Sequence, residues 1–466
     1  MARHKIKMGF QNWYCYCFIL ISFSLYSQPG ENSNWYFGTN AGLSFNSGVP
    51  IALTNGALAT TEGVATISDG SGNLLFYTDG VTVYNRNHLV MTNGTGLFGD
   101  ASSTQSAIIV QKPGTTNIYY IFTSDNDVGP NGICYSTVDM SLSAGLGAVT
   151  IKNTSLHAPS CEKLCVVRHC NNTDFWVISH DWNTNVFRCW SVSNLMVGNI
   201  QSWSATGITP SGISQSSYGQ LKASLDGKRI AACYYGLTNG GANTLQIYNF
   251  DNSTGWLSGA QTLSTDQGLY GCEFSPNNKV LYAATNGGLL LQFNLCASNI
   301  QSSRYVVSNA GPFIGALQIA PDNKIYVTRN TTSLSVINNP NNIGAACNYT
   351  NLNISLLGRN SRFSLPNFAS YYNKIDLILN QPQELSCTSF QFSNPILQQN
   401  CNPVNYTYLW NFGDGTTSNQ LNPVHNYTIP GTYTVTFTVN TGCVTEQTSI
   451  SVTSNNSILL SQINHN

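Results

Sequence analysis

The chain has 466 residues, enough for two or more hydrophobic cores. Charged residues make up only 8% of it, against roughly 25% in an ordinary soluble domain. With a formal net charge of −1, the chain lacks the basic surface that nucleic-acid binding needs to displace counterions, so no nucleic-acid partner is expected. In chain order, the first element is a charged start, Arg3, His4, Lys5 and Lys7, followed by an apolar run from Trp13 to Leu25. That run is short for a bilayer span of about 20 residues. A signal peptide over 1–27, cut before Gln28, is therefore expected in place of an anchor. No later stretch is long and apolar enough to span a membrane. The 14 cysteines include Cys15 and Cys17 in that leader. In an exported chain the others are compatible with disulfides or buried thiols.

From residue 34 to 372 a turn-and-strand unit recurs. Its clearest copies are Ser224–Lys228, Ser275–Lys279 and Ala320–Lys324, each followed by two β-branched and aromatic runs. Weaker copies are Asp69–Asn73, Lys112–Asn117 and Cys170–Asp174. Their last residues are spaced 44, 57, 54, 51 and 45 residues apart. Units of this length suit four-stranded sheets arranged radially. Asp, Asn, Gly and Pro set the turns because they fix φ or tolerate the left-handed region. One step further on lies Leu365–Tyr372, and one step back lies Asn34–Phe37 with Leu43–Phe45. The expected fold is all-β: a seven-bladed propeller over 34–372 whose last blade is closed by strands from both ends.

After a linker at 373–384, a second domain is expected over 385–453, with a tail at 454–466. Tyr433, Val435, Phe437 and Val439 alternate with threonines, which gives one buried and one wet face. Tyr406, Tyr408, Trp410 and Phe412 share one parity, and Trp410 is expected in a core between two sheets. Three ordered blocks, Tyr408–Gly415, Pro423–Tyr427 and Gly431–Val439, resemble the signature of a polycystic kidney disease (PKD) domain, an Ig-like sandwich.

The turn pattern resembles that of TolB-like and lactonase-like propellers. A narrower resemblance rests on Trp35–Leu43, Glu62-Gly63, Leu74–Gly80, Asn93–Gly96, Ser103–Gln105, Glu162–Leu164 and Leu365–Phe368. Together these look like a family of exported Bacteroidetes proteins that join a propeller-like region to PKD domains. The resemblance implies a type IX secretion sorting domain at the end. This chain stops soon after the PKD-like blocks, so that tail is expected to be missing.

Few residues offer chemistry. There is no nucleophile elbow, P-loop, dinucleotide fingerprint or paired-histidine zinc helix. Glu62, Asp69 and Asp79 could make a glycosidase-like pair, but Asp69 and Asp79 read as turn residues. Cys161, Cys165 and Cys170 with His157, His169 and His180 lack a Cys-x-x-Cys spacing for zinc. Asp414 reads as a turn residue, not a calcium ligand. Tyr119, Tyr120, Tyr234 and Tyr235 could stack on sugars, although neighbours on a strand face opposite ways and at least one of each pair is expected in the core. No catalytic, cofactor-binding or metal-binding residue is assigned, and no cofactor is expected. The expected role is extracellular or cell-surface binding or adhesion. The propeller would be the platform for a polysaccharide or surface protein and the PKD domain a spacer. The alternative is a carbohydrate-active hydrolase or lyase with its site in the propeller mouth.

Overall fold

The computed structural model describes residues 30–236, 242–309, 311–369, 379–394, 407–440 and 445–455. The expected signal peptide and the end of the chain lie outside them. The described residues form short β-strands joined by turns and a few single 3-10 turns. None of their helices is long and apolar enough to cross a membrane.

All six recognised turns join the first and second strands of a four-stranded sheet or of a four-stranded half of the larger sheet. Their geometry explains the repeat. The side-chain oxygens of Asp226, Asn277 and Asp322 each accept the backbone N–H two residues on, from Lys228, Lys279 and Lys324. The residue between them, Gly227, Asn278 or Asn323, has φ of 63°, 57° or 61°. Only Gly and Asn enter that left-handed region readily.

The sheets follow one another in chain order. The first has three strands, Asn34–Phe37, Ala41–Ser44 and Ile51–Leu53. Next comes an eight-stranded sheet made of two antiparallel four-stranded halves, which meet through one parallel residue pair, Thr92 with Ala148. Four four-stranded sheets follow. The apolar clusters span neighbouring sheets. Cys165, Trp176 and Phe187 of one sheet pack with Leu221, Tyr234 and Tyr248 of the next. The last sheet packs on the first. Trp35 meets Tyr326 edge-on with ring centroids 5.6 Å apart, and Phe45 meets the same ring at 5.4 Å. Non-directional burial of apolar faces against both neighbours closes the ring and leaves only short edges.

Closure differs from the expected shared blade. The last sheet takes all four strands from residues 317–355. The chain then turns inward. Asn360 bridges Thr39, Pro366 pairs with Val64, and Asn367 donates from N to the Val64 carbonyl (2.8 Å) and from Nδ2 to the Leu164 carbonyl (2.9 Å). Gly38 permits this approach: its φ is 55°, and a Cβ there would lie 2.2 Å from the Asn360 carbonyl oxygen.

The C-terminal sandwich has a three-stranded sheet, Gln383–Ser386, Ser389–Gln391 and Val424–Asn426, and a four-stranded sheet over 407–454. Trp410, Val435, Phe437 and Val439 are fully buried, and Phe390, Phe392 and Tyr427 cover them. The alternation expected of Gly431–Asn440 is the one observed. Asp414 accepts from Thr416 N and pairs with His425 at 2.8 Å, so it sits in a turn contact.

Candidate functional site

The inner strands of the ring begin at Ala65, Ala107, Cys165, Leu221, Leu269 and Leu317. The residues just before or within these strands meet around the ring's centre. Gln105 Oε1 accepts from Leu164 N (3.3 Å) and Leu221 N (2.8 Å), tying three sheets together. Gln220 Oε1 does the same for Cys272 N and Leu317 N. Lys222 pairs with Glu273 at 3.2 Å, both buried. Lys163 is fully buried, and its ammonium donates to the carbonyls of Ser217, Tyr218, Gly219 and Cys233 at 2.7–3.1 Å. Burial lowers this amine to about 8, which leaves it protonated at neutral pH.

One end of this polar centre holds an acidic corner. Glu162 is fully buried and accepts from Thr104 N (2.8 Å), Thr104 Oγ1 (3.0 Å) and Asp127 N (2.8 Å). Glu62 lies beside it. Gly63 lets this segment close up, because a Cβ there would lie 2.1 Å from Ser106 N. Burial, and then the Glu162 charge, push the Glu62 carboxyl up to about 8. Burial likewise raises Glu162 to about 7, against its three hydrogen bonds. The Tyr270 hydroxyl lies within hydrogen-bonding reach of Glu62 and Thr104, but no contact of the buried Glu62 Oε2 or Tyr270 Oη has well-formed hydrogen-bond geometry. A poorly paired buried polar group is destabilising, so these atoms gain from a better-placed partner.

Aromatic rings continue from this corner. Tyr218 packs on Tyr235 (6.0 Å), Tyr235 on Tyr270 (6.5 Å), Tyr270 on Phe363 (6.2 Å) and Phe363 on Phe313 (6.4 Å). Tyr218, Tyr235 and Phe363 are half-buried, and Phe313 is 50% exposed. The hydroxyl of Tyr218 donates to Asp127, and Phe363 N donates to the Thr61 carbonyl beside Glu62. Asp127, Val128, Phe313 and Arg362 all have φ between 47° and 71°. Left-handed backbone is costly for such residues, and strain of this kind clusters at functional sites.

Of the residues considered from sequence, only Glu62 and Tyr235 reach this mouth. Asp69 caps Ser71 and Asn73, and Asp79 caps Val81 and Thr82, as turn residues do. Tyr119, Tyr120 and Tyr234 are core residues. The cysteine–histidine group is dispersed. Cys161 lies 3.8 Å from His180 Nδ1, Cys165 sits in an apolar cluster, His157 pairs with Asp181, and His169 accepts from Asn171 N. Cys134, Cys161, Cys165, Cys189, Cys233, Cys272, Cys347 and Cys387 are free thiols, and all but Cys387 are buried. No disulfide forms at these eight positions, whereas Cys170 and Cys296 are disulfide-bonded. The other partner of Glu62 was missed because Glu162 is distant in sequence. Yet Glu62-Gly63, Ser103–Gln105, Glu162–Leu164 and Leu365–Phe368, blocks that carried the narrower resemblance, all converge here.

Residues 387–454 match the PKD domain family. A stretch of 33 residues is 67% identical to collagenase ColA of Bacillus cereus, covering 7% of this chain and only 3% of that relative. Among solved structures, a candidate 6-phosphogluconolactonase of Bacteroides fragilis is similar over 71% of this chain and 96% of its own, at 12% identity and a TM-score of 0.45. A protein from Lactobacillus plantarum is similar over 84% of this chain and 95% of its own, at 12% identity and a TM-score of 0.41. Hsv2 of Kluyveromyces lactis covers 66% of this chain and 90% of its own, at 7% identity and 0.39. These likenesses carry no functional conclusion. The second domain of this chain is a PKD domain, and the protein is an all-β chain in which a propeller-like ring precedes it.

Proposed function

We propose that the protein is an exported, extracellular or cell-surface binding protein that takes a glycan at the mouth of the ring, with the PKD domain as spacer or interaction module. The ring is read as seven-bladed, counting the two halves of the eight-stranded sheet separately. One observation carries the reading: a row of buried and half-buried aromatic rings borders a desolvated corner where Glu62 Oε2 and Tyr270 Oη make no well-formed hydrogen bond. Flat aromatic faces take the apolar faces of sugars, and poorly paired polar atoms take hydroxyls. Export over residues 1–27 and a domain boundary at 373–384 belong to the same proposal. A glycan array probed with the full chain tests it. Phe363→Ala and Tyr235→Ala should each weaken the retained glycan about three- to tenfold, the range expected for losing one stacked ring. Undiminished binding by both variants would contradict the site.

A hydrolytic reading is favoured by the adjacent Glu62 and Glu162 carboxyls, since paired acids of differing environment suit glycoside cleavage. Against it, all three hydrogen bonds to Glu162 come from within the protein, from Thr104 and Asp127 of the neighbouring half-sheet. Turnover of chromogenic glycosides that Glu62→Gln abolishes would establish it over simple binding.

A further inference from the structure

The electrostatics of the mouth narrow the ligand further, on the footing that the mouth is a glycan site. The charges that bear on Glu62 are those of Glu162 and Asp127, both of its own sign. Lys163, the base next to Glu162 in sequence, offsets part of the Glu162 charge, but it is fully buried with its ammonium on four carbonyls and does not pair with Glu62. Glu162 is satisfied by three donors, whereas Glu62 Oε2 has no well-formed hydrogen bond. Tyr270, only 4% exposed, holds its hydroxyl beside the same carboxyl without a well-formed hydrogen bond. Like charges out of water cannot both ionise, so Glu62 keeps its proton below about pH 8, and a cation docked beside it favours the ionised carboxylate in its place. The walls suit a cation as well. Tyr235 and Tyr270 meet at 88°, and Phe363 continues the row, so that the rings beside the corner lie in more than one plane. Aromatic faces attract ammonium groups through their quadrupole.

We propose that the mouth binds a polysaccharide bearing free amino groups, with one sugar ammonium against the Glu62 carboxylate and neighbouring sugar rings on Tyr235 and Phe363. A saccharide is preferred to a lysine side chain because the aromatic row runs on through Phe363 to the exposed Phe313. That is further than a single ammonium needs, and it suits successive sugar faces.

Calorimetry on the full chain, with a glucosamine tetramer, an N-acetylglucosamine tetramer and a trilysine peptide as probes, tests this. The glucosamine tetramer should bind about tenfold or more tightly than its acetylated counterpart, in line with a partly desolvated cation on a carboxylate and aromatic faces. Glu62→Gln, nearly isosteric and so expected to fold, should abolish that ratio while keeping the weaker neutral binding. Phe363→Ala should weaken both sugars together. Equal binding of the two tetramers, or a preference that survives in Glu62→Gln, overturns the ammonium assignment but leaves the glycan mouth standing. Tighter binding of trilysine than of either sugar overturns the saccharide assignment. Failure of every probe, in a wild-type chain that unfolds cooperatively, overturns both this inference and the glycan reading beneath it.

Discussion

Replacing Glu62 by Gln should make the ring more stable above neutral pH, and the size of the gain follows from the structure. The carboxyl is raised from 4.5 to about 8 on folding, by burial first and the Glu162 charge second. A raised carboxyl binds more protons in the native than in the unfolded state between those values. Its contribution is therefore fully present below about pH 4.5 and is lost as pH rises through about 8. At about 1.4 kcal/mol per pH unit, the full shift sets a ceiling of about 5 kcal/mol. Residual water at a corner that is not wholly closed, and relaxation of the loop, should reduce this to about 2 kcal/mol. Chemical denaturation of wild type and Glu62→Gln, followed by tryptophan fluorescence from pH 5 to 9, measures it. The curves should nearly meet at pH 5, and the variant should be the more stable by about 2 kcal/mol at pH 9. Parallel curves over that range would refute the desolvated acidic corner.

Two further outcomes follow from buried groups. Lys163→Met removes the donor shared by the carbonyls of Ser217, Tyr218, Gly219 and Cys233. Counting about 1–3 kcal/mol for each carbonyl left unpaired, less the desolvation no longer borne by the ammonium, the ring should lose about 3 kcal/mol or more in denaturation. A loss below about 1 kcal/mol would show that water or a shifted loop replaces the lysine. Trp410→Ala empties the centre of the second domain, where Trp410 is fully buried against Phe392 and Phe437. It should cost that domain about 3–5 kcal/mol, seen as faster proteolysis within residues 387–454, while glycan binding by the ring is unchanged.

Much of the fold was legible because local chemistry dictated it. The turns at Asp226-Gly227, Asn277-Asn278 and Asp322-Asn323 combine a side-chain acceptor with a residue suited to positive φ, so the repeat could be read directly. The period-two pattern of Tyr433 to Val439 likewise fixed the inward face of its strand. The closure was less legible. The inward path of residues 360–367 depends on backbone bonds to Thr39, Val64 and Leu164, and backbone partners leave no side-chain signal beyond Gly38. The site was legible least. Glu62 was noticed but set beside Asp69 and Asp79, its neighbours in sequence, whereas its neighbour in space is Glu162. Lys163 and Glu162 lie side by side in the chain, with nothing in the sequence to show that their side chains serve different contacts. The structure instead sends the lysine to four carbonyls and the acid to Thr104 and Asp127. A usable signal was present in the position of these residues: each polar block precedes an inner strand of the repeat.

Hydrogen exchange of the full chain, with and without a saturating glucosamine tetramer, locates the ligand without any substitution. Slowed exchange is predicted in the segments carrying Asp127, Tyr218, Tyr270 and Phe363, with residues 387–454 unaffected. Protection confined to the PKD domain, or binding with no protection around those four residues, would contradict a ligand site at the mouth of the ring.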